Sequence, residues 1–334
     1  MKRLGIIVRA DRGGLAAQSM EVHRHLRPEE TLLIDLGDGG RGPTDHASFP
    51  GAFVAHGVEE ALSDDLLDAF LSRVDTVFSV ETFYRRDFCA RARDHDVETI
   101  VHANPELIAC LDDGPDQVWL PTSWEAQRLP RAVGATVTPM PVATDRLPFS
   151  QRQSVRTWLH VAAPAFHDRN GTALVQAAIA HIRHRCTLLV RGSDAIAPTA
   201  FVDVVHLPET RDYWDYPVAD ALVLPRRYGG LSLVMQEAMA LGMPVVSLDL
   251  PPYRDAIHPR LRVPAFAKRE VSMKAGRFSV HACIPELLAA AMNEAMDDDA
   301  LVAEASEMSG AWAAEHAWER RLGWWQEALR GSSL

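Results

Sequence analysis

Cysteine is scarce in this sequence, and the few thiols are far apart. The four cysteines are Cys89, Cys110, Cys186 and Cys283, and no two of them form a CxxC pair. Widely spaced thiols in a chain of this size are typical of reduced, buried side chains, and they argue against a disulfide framework or a zinc site. They predict a reducing, cytoplasmic location. No other grouping of metal-ligating residue types stands out, so we expect no metal centre.

Long apolar runs and an excess of basic residues are also missing. The run Leu4–Val8 is shorter than a signal-peptide core, and no stretch approaches the roughly 20 apolar residues that a membrane-spanning helix needs. The formal net charge of −11 argues against strong non-specific binding to nucleic acid, because such binding requires a basic surface. The G-x-G-x-x-G fingerprint of dinucleotide-binding enzymes is absent, which disfavours an NAD dehydrogenase.

The sequence instead alternates short apolar runs with helical patterns, in two successive stretches. The strands predicted in the first stretch are Leu4–Val8, Thr31–Leu36, Thr76–Val80, Thr99–His102, Gln117–Leu120 and Thr136–Met140. Those predicted in the second are Thr157–Ala162, Cys186–Arg191, Val202–His206, Ala221–Leu224 and Pro244–Leu248. Helices are predicted at 15–26, 58–71, 84–94, 124–132, 170–184, 232–241 and 284–296. This alternation predicts parallel sheets that are covered by helices on both faces.

A proline-rich segment separates the two stretches. Residues Pro139–Pro148 include three prolines, which cannot continue a helix or occupy a central strand. We therefore expect an α/β protein with two Rossmann-like domains, 1–145 and 150–310, and a ligand-binding cleft between them. Residues 311–334 predict a C-terminal helix that packs back across the hinge.

Four tryptophans lie near the end of the chain: Trp312, Trp318, Trp324 and Trp325. Their spacing fits one or two amphipathic helices that bury an aromatic face. A carbohydrate-stacking platform is the alternative interpretation.

The most informative segment is 222–246. An apolar strand runs into Gly229 and Gly230, a helix begins near Ser232, and a second strand follows at once. Serine is a favoured N-cap residue, and the unpaired N–H groups at a helix N-terminus suit a diphosphate. Glu237 lies on this helix, where its carboxylate could accept two hydrogen bonds from a ribose diol.

This segment resembles the retaining GT-B glycosyltransferases of family 4. The matching residues are Gly230, Leu231, Ser232 and Leu233, followed by Glu-Ala-Met-Ala-Leu-Gly-Met-Pro-Val at 237–245. The resemblance implies that Glu237 holds the nucleotide ribose and that residues 228–233, beginning with Tyr228, line the donor site. Gly229 stands where the family has a glutamate that contacts the donor sugar. The variant at 225–230 is similar to a subgroup of phage-encoded and actinobacterial enzymes.

A second segment, His160–Gly171, is similar to the family's Gly-Arg and Lys-Gly pattern, whose two cations hold the donor phosphates. Arg169 takes the lysine position, whereas Ala163 stands where the family has the arginine. We hypothesise that Arg226 or Arg227 replaces the missing cation, because a guanidinium can grip phosphate with paired donors. The alternative is that both are solvated surface arginines.

Two further groups of residues follow strands of the first domain. Gly13 and Gly14 allow the backbone to approach a ligand closely, and their position matches the family loop that lies against donor phosphate and acceptor. His102, Asn104 and Glu106 could reach the cleft on the acceptor side. Family members often keep a histidine near the transferring sugar, which implies a catalytic role for His102 beside Arg169 and Glu237. A structural hydrogen-bonding role for this histidine is the alternative.

The resemblance implies a hexosyltransferase that moves a sugar, with retention, from a nucleoside diphosphate sugar such as UDP-glucose. The nucleotide sugar is then a co-substrate, and we expect no other cofactor and no metal. The acceptor stays open between a glycan, a protein and a modified DNA base. Two alternatives remain: a nucleotide-sugar epimerase, and a non-catalytic protein that binds sugar nucleotides.

Overall fold

The computed structural model describes residues 2–40, 42–57, 62–105, 114–128, 135–162, 168–192, 195–208, 214, 216, 218–273 and 276–330. The chain divides into two compact units, each with a parallel sheet. The first unit contains residues up to 140 and from 318 onward. The second contains residues 141–210 and 214–317. In the described part of the chain, no helix combines the length and the apolar character that crossing a membrane requires.

The first unit is built on a seven-stranded parallel sheet in the order β3-β2-β1-β4-β5-β6-β7. Its strands are β1 Leu4–Arg9, β2 Glu30–Asp35, β3 Phe53–His56, β4 Thr76–Val80, β5 Glu98–His102, β6 Gln117–Leu120 and β7 Ala135–Val137. The six strands predicted for this half are confirmed, with ends shifted by up to three residues. The edge strand β3 was not predicted, because four residues of mixed polarity give little periodic signal.

Among the described residues of this unit, three helices follow strands of the sheet: α1 Gly14–Leu26, α2 Asp64–Leu71 and α3 Phe88–Asp94. Ser63 caps α2 by accepting a hydrogen bond from the backbone N–H of Leu66. The helix predicted from residue 84 begins only at Phe88, since Tyr84 has a φ of 62° that no right-handed helix contains. Of the helix predicted at 124–132, the described residues show a 3₁₀ turn at Ala126–Arg128.

The last helix of the first unit, α8 Trp318–Arg330, buries tryptophans against this sheet. Trp318 and Trp325 are almost fully buried, whereas Trp324 keeps 47% of its surface exposed. The ring of Trp325 lies 5.6 Å from that of Phe78 and 5.2 Å from that of Trp119, centroid to centroid. The tryptophans of α8 therefore complete the core of the first unit, as the amphipathic interpretation predicts.

The second unit has a six-stranded parallel sheet in the order β10-β9-β8-β11-β12-β13. Its strands are β8 Thr157–Val161, β9 Cys186–Arg191, β10 Val202–Leu207, β11 Ala221–Val223, β12 Val245–Leu248 and β13 Arg262–Val263. Its helices are α4 Thr172–Ala178, α5 Leu233–Ala240, α6 Pro285–Asp297 and α7 Asp299–Glu315. The five strands predicted for this half are confirmed. The predicted helix 170–184 is shorter than expected and ends in a 3₁₀ turn at Ile179–His181.

An antiparallel hairpin in the second unit, β14 Phe266–Met273 and β15 Gly276–Ala282, was not predicted. Phe278, Val280 and Ala282 are buried at alternate positions of β15. This period of two is the strand signal that would have revealed the hairpin.

Both parallel sheets are doubly wound. Successive strands are added toward one side of the sheet and then, after a single reversal, toward the other. The reversal lies between β1 and β4 in the first unit and between β8 and β11 in the second. Ligands of such sheets bind at the carboxyl ends of the strands beside this switch point. The loops after these four strands are therefore the places to look for a site.

Candidate functional site

In the second unit, the two loops at the switch point pack directly against each other. Gly171 ends the loop after β8 with a φ of 74°, and a Cβ on it would lie 2.5 Å from the carbonyl oxygen of Pro225 in the loop after β11. The backbone N–H of Arg227 donates to the carbonyl of Arg169 at 2.9 Å. The loop after β8 and the loop after β11 are thus held together by glycine-dependent contact and by a backbone hydrogen bond.

Arg227 also holds the two loops in place, through hydrogen bonds of its side chain and backbone. Its guanidinium donates to Asp168 at 3.0 Å and to the carbonyl of His281 in β15 at 2.8 Å. The backbone N–H of His281 donates in turn to the carbonyl of Arg227 at 3.0 Å. With 7% of its surface exposed, Arg227 serves as a structural tie between the two loops and the hairpin. The interpretation of Arg227 as a solvated surface arginine is wrong.

Arg169 and Arg226 converge on Gly229. A Cβ built on Gly229 would lie 2.7 Å from Nη2 of Arg169 and 2.8 Å from Nη2 of Arg226. Gly229 has a φ of 101°, so both its missing side chain and its backbone conformation suit glycine. The Arg226 guanidinium also donates to the carbonyl of Leu231, and the Arg169 guanidinium lies 5.2 Å from the ring centroid of Tyr228. Two positive charges therefore meet beside a residue without a side chain.

Helix α5 begins at Leu233, at the end of the loop that holds Arg226. Ser232 is its N-cap and accepts a hydrogen bond from the backbone N–H of Met235 at 3.4 Å. The Tyr253 hydroxyl accepts from the backbone N–H of Ser232 at 2.7 Å. Burial raises the pKa of Tyr253 to about 12, the charge on Arg226 lowers it and the charge on Glu237 raises it. Both charges thus act on one hydroxyl at the helix N-terminus, so the cationic and the anionic parts of the site are neighbours.

Glu237 lies further along α5 and is buried, with 3% of its surface exposed. One carboxylate oxygen, Oε2, accepts a hydrogen bond from the hydroxyl of Tyr216 at 2.5 Å. The ring of Tyr216 lies 5.6 Å from the guanidinium of Arg191, the last residue of β9. Sequence reasoning missed Tyr216 because no motif surrounds it and its contact with Glu237 depends on tertiary packing.

The structure thus brings together most of the donor-site residues predicted from the sequence. Two loops and the first turn of one helix hold Arg169, Arg226, Tyr228, Gly229, Gly230, Leu231, Ser232 and Leu233, with Glu237 on the same helix. Ala163, where the family has an arginine, lies outside the described residues. The assignment of these residues to a donor remains a prediction.

Gly13 and Gly14 lie at the switch point of the first unit, where Gly13 is the N-cap of α1. The backbone N–H of Gly13 donates to Asp11 at 3.3 Å, and Asp11 forms a 2.5 Å ion pair with Arg9 at the end of β1. Tyr84, in the loop after β4, lies close enough to Arg9 to raise the pKa of its guanidinium. Ionisable and aromatic side chains therefore gather at the switch point of this sheet as well.

His102 is enclosed in the first unit, with 1% of its surface exposed. Its Nε2 lies 2.9 Å from the carbonyl oxygen of Thr138, and its Nδ1 lies 3.3 Å from the side-chain nitrogen of Gln18. Burial lowers the pKa of His102 to about 4, which keeps the ring neutral at pH 7. This environment is that of a structural histidine. The catalytic role stays a prediction, against which the burial and the two ring-nitrogen contacts weigh.

Asn104 and Glu106 were expected beside His102 on the acceptor side. Asn104 is buried, with 6% of its surface exposed. Glu106 lies outside the described residues.

Comparison with known proteins relates both units to one fold. Residues 156–298 match the family described as Glycosyl transferases group 1. HepE from Anabaena, in complex with UDP and glucose, superposes with a TM-score of 0.68 at 10% identity, over 98% of this chain and 99% of that one. Sucrose-phosphate synthase from Thermosynechococcus elongatus gives 0.66 at 14% identity, over 98% of each chain. No curated protein matches the chain by sequence.

These similarities show the fold. Two doubly wound α/β units with these neighbours constitute a GT-B fold, and the resemblance to GT-B glycosyltransferases drawn from the sequence is confirmed. Membership of the phage and actinobacterial subgroup stays a prediction.

Proposed function

We propose that this chain transfers a sugar from a nucleoside diphosphate sugar. The premise is that residues 156–298 match the glycosyl transferases group 1 family within a GT-B fold. The observation that carries the proposal is the convergence of Arg169 and Arg226 on Gly229, next to the N-terminus of α5. Paired guanidinium groups and the positive end of a helix dipole are the features that bind a diphosphate.

The proposed roles follow from charge and position. Arg169 and Arg226 hold the diphosphate, with Arg226 in place of the arginine that the family pattern has at 163. Glu237 accepts hydrogen bonds from the two ribose hydroxyls, since an ionised carboxylate has about four acceptor sites. When the bond between sugar and phosphate breaks, the two guanidinium groups stabilise the negative charge that develops on the leaving diphosphate.

The same two guanidinium groups supply two positive charges, which is the charge of one divalent cation. We therefore propose a transferase that needs no metal for leaving-group stabilisation. The nucleotide sugar is a co-substrate, and the proposal includes no further cofactor.

The donor that we propose is a UDP-hexose, UDP-glucose in the first instance. HepE is described in complexes with UDP, with UDP and glucose, and with UDP-glucose. Gly229 removes the carboxylate with which the family contacts the donor sugar, so sugar recognition here depends on other groups. We further propose transfer with retention, from the family resemblance. A glycan, a protein and a modified DNA base are the acceptors to test.

Two other functions fit the same site. A non-catalytic protein that binds sugar nucleotides is favoured by glycine at 229, where the family has its sugar-contacting glutamate. An epimerase would use the same nucleotide site without an acceptor. Turnover separates the three: a transferase needs an acceptor or hydrolyses the donor slowly, an epimerase converts the donor alone, and a binding protein does neither.

The proposal is tested by measuring nucleotide binding to the full chain. Calorimetric titration with UDP, GDP and ADP, and with their glucose conjugates, is compared between wild type, Glu237→Gln and Arg226→Ala. We expect one nucleotide to bind the wild type at micromolar concentration. Each substitution should weaken that binding about tenfold or more, because it removes a hydrogen bond to a charged group.

Gln236→Ala is the matched control, since Gln236 precedes Glu237 on α5 and is similarly buried. It should leave nucleotide affinity within about twofold of wild type. If no nucleotide binds the folded wild type, or if Glu237→Gln and Arg226→Ala bind as tightly as the control, the assignment of the donor site is wrong.

A further inference from the structure

We infer that Tyr216 is a positioning residue that orients Glu237 and thereby selects ribonucleotide donors over 2′-deoxyribonucleotide donors. This inference rests on the proposed function, because it assumes that Glu237 receives the ribose. It adds a residue that the family resemblance did not single out.

Tyr216 connects the carboxyl end of strand β9 to helix α5. Its ring lies 5.6 Å from the guanidinium of Arg191 at the carboxyl end of β9, and its hydroxyl donates to Oε2 of Glu237 at 2.5 Å. Arg191 is itself held in the sheet, where its carbonyl accepts from the backbone N–H of Ala162 at 2.8 Å. The position of the Glu237 carboxylate is therefore tied, through one tyrosine, to the end of a central strand.

A carboxylate that is held in one orientation binds the two ribose hydroxyls more selectively than a carboxylate that can rotate. The torsion that turns a glutamate carboxylate is broad, so its two oxygens are not held by rotamer preference alone. A hydrogen bond from a hydroxyl to one oxygen fixes the plane of the carboxylate and still leaves acceptor capacity for ribose hydroxyls. Glu237 is buried and the bond is partly shielded from solvent, so the hydroxyl of Tyr216 contributes more to this orientation than it would in water.

This arrangement determines a class of donor. A site that is built to pair with a hydroxyl rejects a ligand that lacks it, because a buried polar group is then left without its partner. A ligand without the 2′-hydroxyl offers Glu237 one hydrogen bond in place of two. The preferred donor is accordingly a ribonucleoside diphosphate sugar, and deoxythymidine diphosphate sugars should bind about tenfold or more weakly.

The test measures the ratio of two dissociation constants, for UDP and for 2′-deoxy-UDP, on the full chain. We expect wild type to bind UDP about tenfold or more tightly than 2′-deoxy-UDP. Tyr216→Phe keeps the ring on Arg191 and removes the hydroxyl. We expect it to lower the ratio by about threefold or more, through weaker UDP binding, with 2′-deoxy-UDP binding changed by less than about twofold.

Tyr253→Phe is the matched control within the site. It removes the hydroxyl that accepts from the backbone N–H of Ser232 at the start of α5, so it should weaken both ligands equally and leave the ratio unchanged. A general loss of structure would likewise weaken the binding of both ligands and leave the ratio unchanged. The ratio therefore separates positioning of Glu237 from stabilisation of the fold, and melting temperatures are recorded for each variant.

Glu237→Gln tests the same inference with a second variant. It keeps the shape of the side chain and should also lower the preference for UDP over 2′-deoxy-UDP. If wild type binds neither nucleotide, nor GDP or ADP, the proposed function and this inference are both wrong. If wild type prefers UDP and Tyr216→Phe retains the full preference, the inference alone is overturned. A wild-type ratio near one overturns it as well.

Discussion

Replacing Gly229 with alanine should damage the site in two separable ways. The first is backbone strain, because Gly229 has a φ of 101°, which L residues rarely adopt. This strain should cost about 1–3 kcal/mol of folding free energy. The second is a collision, since the new Cβ would lie 2.7 Å from Nη2 of Arg169 and 2.8 Å from Nη2 of Arg226. These are ends of flexible side chains, so the guanidinium groups should move rather than the backbone.

The displaced guanidinium groups should bind a diphosphate less well. Losing one charge-assisted hydrogen bond costs about 1.5–3 kcal/mol, which corresponds to about a 10- to 150-fold weaker affinity for UDP. Calorimetric titration with UDP measures this loss, and chemical denaturation measures the change in the free energy of unfolding.

Gly276→Ala is the matched control for strain alone. Gly276 has a φ of 123°, and a Cβ built on it has no neighbour within 4 Å among the described residues. It should therefore lose stability to a comparable extent and bind UDP as wild type does. If Gly229→Ala weakens UDP binding no more than Gly276→Ala, the two guanidinium groups do not hold the diphosphate from their observed positions.

Two further predictions concern the first unit. Trp325→Ala should reduce the free energy of unfolding by about 3–5 kcal/mol because Trp325 is 1% exposed, whereas Trp324→Ala, at a position 47% exposed, should cost about 1 kcal/mol or less. Equal losses in denaturation would contradict the packing described for α8. The pKa of His102, lowered from 6.5 to about 4, predicts that the native state resists protonation of this ring. Its contribution is fully present above pH 6.5 and is lost as pH falls toward 4, by at most about 1.4 kcal/mol per pH unit. His102→Gln should remove that component, so an unchanged pH profile of unfolding would refute the buried neutral ring.

The sequence predicted best where local signals coincide. Around α5, the glycines at 229 and 230, the N-cap Ser232 and the following apolar strand are neighbours in the chain, and the structure has the helix at Leu233–Ala240, within one residue of the prediction. The same holds for β4, β6 and β9, whose bounds were predicted without error. Continuous apolar runs of this length leave little choice of element.

Contacts between distant residues could not be predicted in the same way. His102 was expected to face a ligand because it ends a buried strand. The structure shows it enclosed, 5.8 Å from the ring of Trp325, which is more than 200 residues away in sequence. Tyr216 meets Glu237 through tertiary packing alone. The tie of Arg227 to Asp168 and His281 likewise depends on loops whose geometry no short motif records.

The β14–β15 hairpin is a different kind of omission. Apolar and polar residues alternate at 276–282 of the sequence, and a strand could have been predicted from this pattern. The glycine at 229 was recognised as a departure from the family, but the two arginines that converge on it became apparent only in three dimensions.

The position of α8 has a consequence for how the protein is made. This helix supplies the tryptophans that close the core of the first unit, yet about 180 residues of the second unit are translated before it. At ordinary rates of synthesis that interval lasts about 10–35 s. During this time the nascent first unit exposes the surface of Phe78 and Trp119 that Trp325 later covers. We therefore expect the nascent chain to recruit chaperones at this surface and to release them only when translation reaches the last helix.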